Sequence, residues 1–374
     1  MVPNDTSYHF DSLGQRIFVA IILGVVCILG VFGNGLVILA CLVSHRLRDA
    51  TNVFVVNLAI ADFLTCLFTP ANIIALIGVH EVPTHGSTFD IFCTIGAAVT
   101  YISIGVSLYT LASLAVIRFI LLTKSVTTYG RLFSSKVVII SWIMLLWFIP
   151  AIIVLLPVLR NVDHLGYDPT YHSCSDRQTE NSIDERTKDI VLAVGFFLIP
   201  GLVLFISYCK IYKHVMINVD ILKAKKGQTG VITMKDIKRI SKSMELASVS
   251  CDSIPRISLP GTPVSGRYRK NPGGRGIVKT NLSRRQVKIT KNLFYVLCAF
   301  MVCVTPYLIL LIFDDTFLAP FAPYAACFLI TNSCINWMIY ATKHPHFKEV
   351  FKCLLSCNWK DIPEPVRWWW WYRD

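Results

Sequence analysis

Charge is what this chain has least of. Asp, Glu, Lys and Arg make up 16% of its 374 residues, against 54% hydrophobic residues and a mean hydropathy of +0.57. So little charge excludes an ordinary soluble domain and describes a membrane protein. Catalytic patterns are missing as well. No HExxH spacing occurs, no glycine-rich phosphate loop follows a strand, and His45, His164, His172, His214, His344 and His346 are scattered. Without a metal-ligand spacing or a nucleophile set, an enzyme is not expected and no metal site is assigned. Strand-like alternation is absent from the long apolar runs, which excludes a barrel built of alternating strands.

What is present is apolar length. Seven runs can each cross a hydrocarbon core of about 30 Å: Ile17–Val43, Val53–Val79, Phe92–Leu122, Val137–Leu159, Ile190–Tyr212, Ile289–Phe313 and Phe321–Ala341. In lipid a helix satisfies its own backbone, so the reading is an all-α membrane protein, a seven-transmembrane helix bundle. A short amphipathic helix with mixed apolar and basic residues follows the last span, within Phe347–Asn358. The expected organisation is an extracellular amino-terminal segment (1–16), helices one to five (17–212), a largely disordered cytoplasmic loop three (213–288), helices six and seven (289–341), and the amphipathic helix with a cytoplasmic tail (342–374).

Basic residues set the orientation. Residues 80–91 and 314–320 carry no Lys or Arg, whereas 213–288 carry 17 against four acids, a net of +13 that equals the net charge of the whole chain. The positive-inside rule puts that loop in the cytoplasm, the amino terminus outside and the carboxyl terminus inside, at the plasma membrane. The basic balance therefore points to a membrane surface and not to nucleic acid. No cleavable signal pattern precedes the first span, which is read as a retained helix. The sequon at Asn4 then lies on the glycosylated side, and the one at Asn281 does not. Most of the 13 cysteines fall inside spans as small apolar residues. Cys93 and Cys174 instead face the oxidising side, where they can bridge. Cys353 and Cys357, just past the last span, are candidate palmitoylation sites. Loop three, with GTPVSG, NPGGRG and Arg256, Ser258 and Thr262, suits a phosphorylated docking surface.

Asp62 stands alone in the apolar run LAIADFLTCL. A charge at bilayer depth costs at least about 2.5–3.5 kcal/mol, so it is expected to face the bundle interior among polar partners. Asn34, Ser107, Asn332, Ser333 and Asn336 lie at comparable depths. That set suits a hydrated cation or a proton relay, with a plain interhelical packing node as the alternative.

Taken together, Asn34 in a Gly-Asn pair, LAIAD ending at Asp62, Cys93, Arg118, Trp142, Pro200 with Tyr208, CVTP ending at Pro306, and NWMIY from Asn336 to Tyr340 resemble the rhodopsin-like G-protein-coupled receptors across all seven spans. The resemblance implies a sodium and water pocket at Asn34, Asp62, Ser107, Asn332 and Asn336, with no other cofactor. It implies coupling through Arg118, Tyr208, Tyr340, Phe300 and Pro306, a disulfide between Cys93 and Cys174, and a heterotrimeric G protein as partner. Arrestin and receptor kinases are implied at loop three. Three positions depart from the family pattern: Ile117 replaces the acid before the arginine, Val304 the tryptophan of span six, and Trp337 the proline of span seven. Melatonin receptors are similar in lacking that proline and that acid, and are the nearest subgroup by resemblance.

Thr100 stands where amine-binding members carry an aspartate, which argues against a monoamine. The expected ligand site is Asn72, Thr100, Tyr101, Ile104 and Leu192, continued by Phe196, Phe197, Tyr307, Leu311 and Ile330. This mostly apolar set favours a small hydrophobic, lipid-like or indole-like ligand. A peptide reading Asp163, Asp168, Asp176, Asp184 and Glu185 of the outer loop is the competitor. A non-signalling scavenger or scaffold, motivated by Ile117, Val304 and Trp337, is a second alternative, and a transporter a third that the absence of repeats disfavours. The tail RWWWWYRD is assigned no function.

Overall fold

Lipid gives apolar side chains no reason to prefer one another, so helices in a membrane associate through close packing and polar ties. A computed structural model describes residues 10, 12–78, 83, 86–123, 129–130, 133, 135–160, 164–176, 187, 189–228, 284–313 and 317–366, with backbone alone at 215–228, 284–297 and 345. Seven long helices follow in order: α1 (Leu13–Val43), α2 (Ala50–Ile77), α3 (Thr88–Thr123), α4 (Lys136–Leu159), α5 (Ile199–Gln228), α6 (Arg284–Ile312) and α7 (Ala322–Lys343); the short α8 (Pro345–Leu355) follows them. A two-stranded hairpin, β1 (Leu165–Asp168) and β2 (Ser173–Asp176), sits between α4 and α5. Every expected span is a helix. Most exceed the apolar run that marked them, because a helix continues for as long as its backbone bonds continue, whatever the polarity of its side chains. The longest extensions are at α5 and α6, which run to Gln228 and begin at Arg284: the ends of the loop 213–288, VMINVDILK and LSRRQVKIT, read as cytoplasmic extensions of helices five and six, and both are helical where described.

The chain divides into two units. Cys209–Lys291 form one; Met1–Tyr208 with Asn292–Asp374 form the other, which holds the helix bundle described here. In the bundle, α1 packs on α2 and α7, and α3 on α2 and α4. Glycines set how closely. A Cβ at Gly30 would overlap the Cys66 thiol on α2, and one at Gly33 would overlap the Trp337 indole on α7. At Gly105 of α3 a Cβ would come within 2.8 Å of Pro150 on α4 and 3.0 Å of Phe196. Asp49 caps α2, its carboxylate accepting from the Asn52 N–H at 2.6 Å, as the exposed donors of a first turn require.

The segment Ala193–Leu198 leading into α5 is a π-helix. Pro200 follows within a turn and cannot donate, so the regular ladder is interrupted there. The hydroxyl of Tyr109 on α3 donates to the Gly195 carbonyl at 2.8 Å and ties the widened turn to the bundle. Among the described residues, five helices are long and apolar enough to cross a membrane by length and composition, and Cys298–Ile312 of α6 is a shorter apolar stretch.

Candidate functional site

Asp62 is fully buried on α2. The Asn336 side-chain amide on α7 donates to its Oδ2 at 2.7 Å. Ser107 of α3 and Ser333 of α7 also turn toward the carboxylate. Even so, no hydrogen bond of good geometry reaches Oδ1 among the described residues, and the Ser107 hydroxyl is likewise unpartnered. Asn34 takes another part: its amide donates to the carbonyls of Gly30 (3.0 Å) and Ser333 (2.9 Å), bracing α1 against α7. Asn332 is buried on α7 nearby in sequence. Asp62, Ser107, Ser333 and Asn336 thus meet around the carboxylate, and Asn34 braces the wall through the Ser333 carbonyl. An orphaned carboxylate oxygen beside an orphaned hydroxyl and an amide offers the oxygen donors that a hard cation takes.

Toward the hairpin end, Thr100 and Ile104 are buried on α3. The Phe197 and Tyr307 rings lie 6.0 Å apart, Phe196 and Phe197 6.4 Å apart, and Tyr101 reaches Tyr307 and donates to Asp176 Oδ1 at 3.1 Å. Leu192, Leu311 and Ile330 belong to the same apolar core. Asn72 serves the hairpin, its Oδ1 accepting from the Cys174 N–H at 2.9 Å. Asp176 was singled out only for a peptide; its placement against Tyr101 puts it at the mouth of the aromatic set. Asp163, Asp184 and Glu185 lie outside the described residues.

The hairpin pairs Leu165 with Asp176 and Tyr167 with Cys174 in antiparallel register. Cys174 is disulfide-bonded to Cys93 on α3, Cα atoms 4.9 Å apart. Thr94 donates to the Leu165 carbonyl at 2.9 Å, and Phe10, fully buried, donates its N–H to Thr170 at 2.8 Å and meets Tyr324 edge-on. Burial raises the phenol of Tyr167 above its ordinary range, consistent with a hydroxyl enclosed beside His172 at 2.7 Å.

At the opposite end, Arg118 has Ile117, fully buried, where an acid was absent from the sequence. Its guanidinium is buried, Asp49, the cap of α2, acts on it electrostatically, and Tyr340, Tyr129 and Tyr208 are within its electrostatic reach. Sequence inspection missed Asp49 because it lies 69 positions away. Tyr340 and Phe300 are buried, and Pro306 lies within α6. Asn57, equally unnoticed, accepts from the Trp147 indole at 2.9 Å and donates to Thr110 at 2.8 Å, linking α2, α3 and α4. Its signal was an amide within an apolar run, the same signal that revealed Asp62.

After α8 the chain turns back. His45 donates to the Glu364 carbonyl at 2.9 Å, Val366 to Val43 at 3.0 Å, and the Ser44 hydroxyl to Pro363 at 2.6 Å. Ser44 and Pro365 form an antiparallel bridge, with Ile362 and Val366 buried beneath it. In this strap the Cys353 thiol faces the Asp361 carbonyl at 3.4 Å, whereas Cys357 is exposed. Asn4, Asn281 and the tail 367–374 lie outside the described residues.

Three comparisons bear on this arrangement. Residues 33–340 match the model of the 7 transmembrane receptor (rhodopsin family). The alpha-1A adrenergic receptor of Oryzias latipes is 27% identical over 350 residues, covering 92% of this chain and 68% of that receptor. The G-protein coupled receptor moody of Drosophila melanogaster is 24% identical over 371 residues, 96% of this chain but 54% of its own length, so the chain spans about half of that relative. Among solved structures, squid rhodopsin shares the fold with a TM-score of 0.65 at 18% identity, covering 92% of this chain and 87% of that one. With the family model spanning most of the helices that build the site, the chain belongs to the rhodopsin family of seven-transmembrane receptors, a family of signalling receptors and not of enzymes.

Proposed function

We propose that this protein is a plasma-membrane receptor that binds a small hydrophobic ligand at the hairpin end of the bundle and promotes nucleotide exchange on a heterotrimeric G protein at the Arg118 end. The observation that carries the reading is the half-satisfied carboxylate between those ends: Asp62 bonded through one oxygen to Asn336, its other oxygen orphaned beside Ser107. Asp62, Ser107, Asn332 and Asn336 would hold a sodium ion with its waters, and Asn34 would keep α7 in register. A bound cation supplies the missing positive charge and favours the closed packing of α2, α3 and α7. A ligand that prefers the packing without the ion then shifts the population toward the coupling state by its differential affinity. Arg118, under the electrostatic influence of Asp49 and without an adjacent acid, would turn toward the partner, with Tyr208 and Tyr340 turning beside it.

A small ligand is favoured over a peptide because the described hairpin acids are engaged locally. Asp168 accepts from the Thr170 N–H at 2.9 Å and Asp176 from Tyr101. Phe10 and the disulfide-held hairpin also cover the end where a peptide would enter. Thr100 gives an amine no counter-ion at its level. One relative is named a G-protein coupled receptor, which supports the partner class. Palmitate is expected on Cys357 and glycan on Asn4, with loop three available to arrestin and receptor kinases.

The test is nucleotide exchange on several purified G proteins with ligand-free receptor in nanodiscs. Exchange above empty discs, lowered by sodium in the natural chain and indifferent to sodium in Asp62→Asn, is the expected result. No exchange with any G protein would favour the scaffold reading. A sodium response unchanged by Asp62→Asn would remove the ion site.

A further inference from the structure

Away from the polar core, α2, α3 and α4 frame a lateral groove of about 490 Å³, within the range of small-molecule sites. Phe68 of α2, Val99 and Ile102 of α3, and Trp147 and Phe148 of α4 form its walls. It opens sideways through α4, where Met144 is 64% and Phe148 61% exposed. That surface belongs to an apolar span, so an occupant arrives from the bilayer.

One polar side chain lines the groove. Ser103 is 1% exposed, and its hydroxyl meets no hydrogen-bond partner among the described residues. A buried hydroxyl in that state forgoes the bonds it would make in water, so a ligand oxygen that reaches it is selected. The Trp147 N–H is already donated to Asn57, which fixes the indole and leaves its flat face as wall. The lining carries no charged residue, so nothing there holds a phosphate headgroup.

Depth narrows the chemistry further. Ser103 lies 11 residues beyond Phe92, where the third apolar run begins, about 16 Å along the helix, which is near the middle of a hydrocarbon core of about 30 Å. An ordinary sterol keeps its hydroxyl at the headgroups and has nothing to offer at that level. A sterol hydroxylated at the end of its side chain does. We propose that this groove binds a side-chain-hydroxylated sterol, its rings against Trp147 and Phe148 and its side-chain hydroxyl bonded to Ser103. The site is separate from the ligand site proposed at the hairpin end and does not depend on signalling.

The experiment uses the full chain in phosphatidylcholine nanodiscs, labelled by a photoactivatable sterol and competed with side-chain-hydroxylated cholesterol or with cholesterol. The hydroxylated sterol is expected to compete about tenfold better, the worth of one hydrogen bond. Ser103→Ala should bring the two within about twofold, and Ser103→Thr should restore the preference. Ala151→Phe fills the groove from α4 with Ser103 untouched and should abolish labelling of the α3–α4 segment. Equal competition by the two sterols in the natural chain, a preference that survives Ser103→Ala, or labelling that persists in Ala151→Phe would each overturn the proposal.

Discussion

Trp337 occupies the position after Asn336 where the receptor family places a proline, and its indole lies against Gly33 of α1. The two residues are complementary: with an N–H restored, α7 keeps a regular backbone, and the bulk that replaces the proline ring fits because residue 33 has no side chain. The contact stands one residue from the amide that bonds Asp62, so it sets where Asn336 points. Gly33→Ala is expected to lower stability by about 1–3 kcal/mol, since a rigid indole cannot yield as a flexible chain would. It should also weaken the sodium response of basal exchange. Thermal unfolding in nanodiscs, read alongside that response, checks both. Ile117 and Asp49 make a similar pair, one residue removing a local partner and another, distant in sequence, taking its electrostatic place.

Elements carry information that single residues do not. The hydroxyl of Tyr109 anchors the π-helix of Ala193–Leu198, and Phe196 and Phe197 project from that widened turn into the aromatic set around Tyr307. The strap 362–366 is the other such element. It joins the end of α1 to the segment beyond α8 through backbone bonds at His45 and Val366 and the Ser44 hydroxyl, while the ion pair of Arg46 with Glu349 at 3.1 Å is too exposed to add much. Val366→Pro removes the N–H that Val43 accepts and should cost about 1–3 kcal/mol of local stability. Hydrogen exchange at the His45 amide should then accelerate by at least about fivefold, with exchange at α2 and α3 unchanged. Equal acceleration throughout the bundle would show that the strap is not a local unit.

For the whole molecule, the hairpin is held over one end of the bundle by one covalent and several polar ties. The disulfide closes a stretch of 81 residues. Its loss in Cys93→Ser with Cys174→Ser is expected to cost about 2–4 kcal/mol, toward the lower figure because the bilayer already restrains α3 and α4 in the unfolded state. Ligand binding should fall with stability, since Asn72 and Asp176 are both placed through the hairpin. A doubly substituted receptor that melts at the natural temperature would contradict this.

Apolar runs marked the seven helices, because twenty-odd apolar residues in lipid have one way to satisfy their backbone, and five of those helices are apolar enough over a full spanning length among the described residues. Sequence by itself also determined that Asp62 faces inward, for a charge is too costly elsewhere. Polar stretches after the fifth apolar run and before the sixth read as helical extensions, but where they stop, at Gln228 and Arg284, was less legible. Tertiary structure alone decided which oxygens of the polar core are bonded and which are orphaned. It decided too that Asn72 serves the hairpin, that Asp49 comes within electrostatic reach of Arg118, that Gly33 seats Trp337, and that Val366 pairs with Val43. Each of these joins residues far apart in the chain, and a hydrogen bond or a ring contact depends on tenths of an ångström that periodicity and composition do not encode.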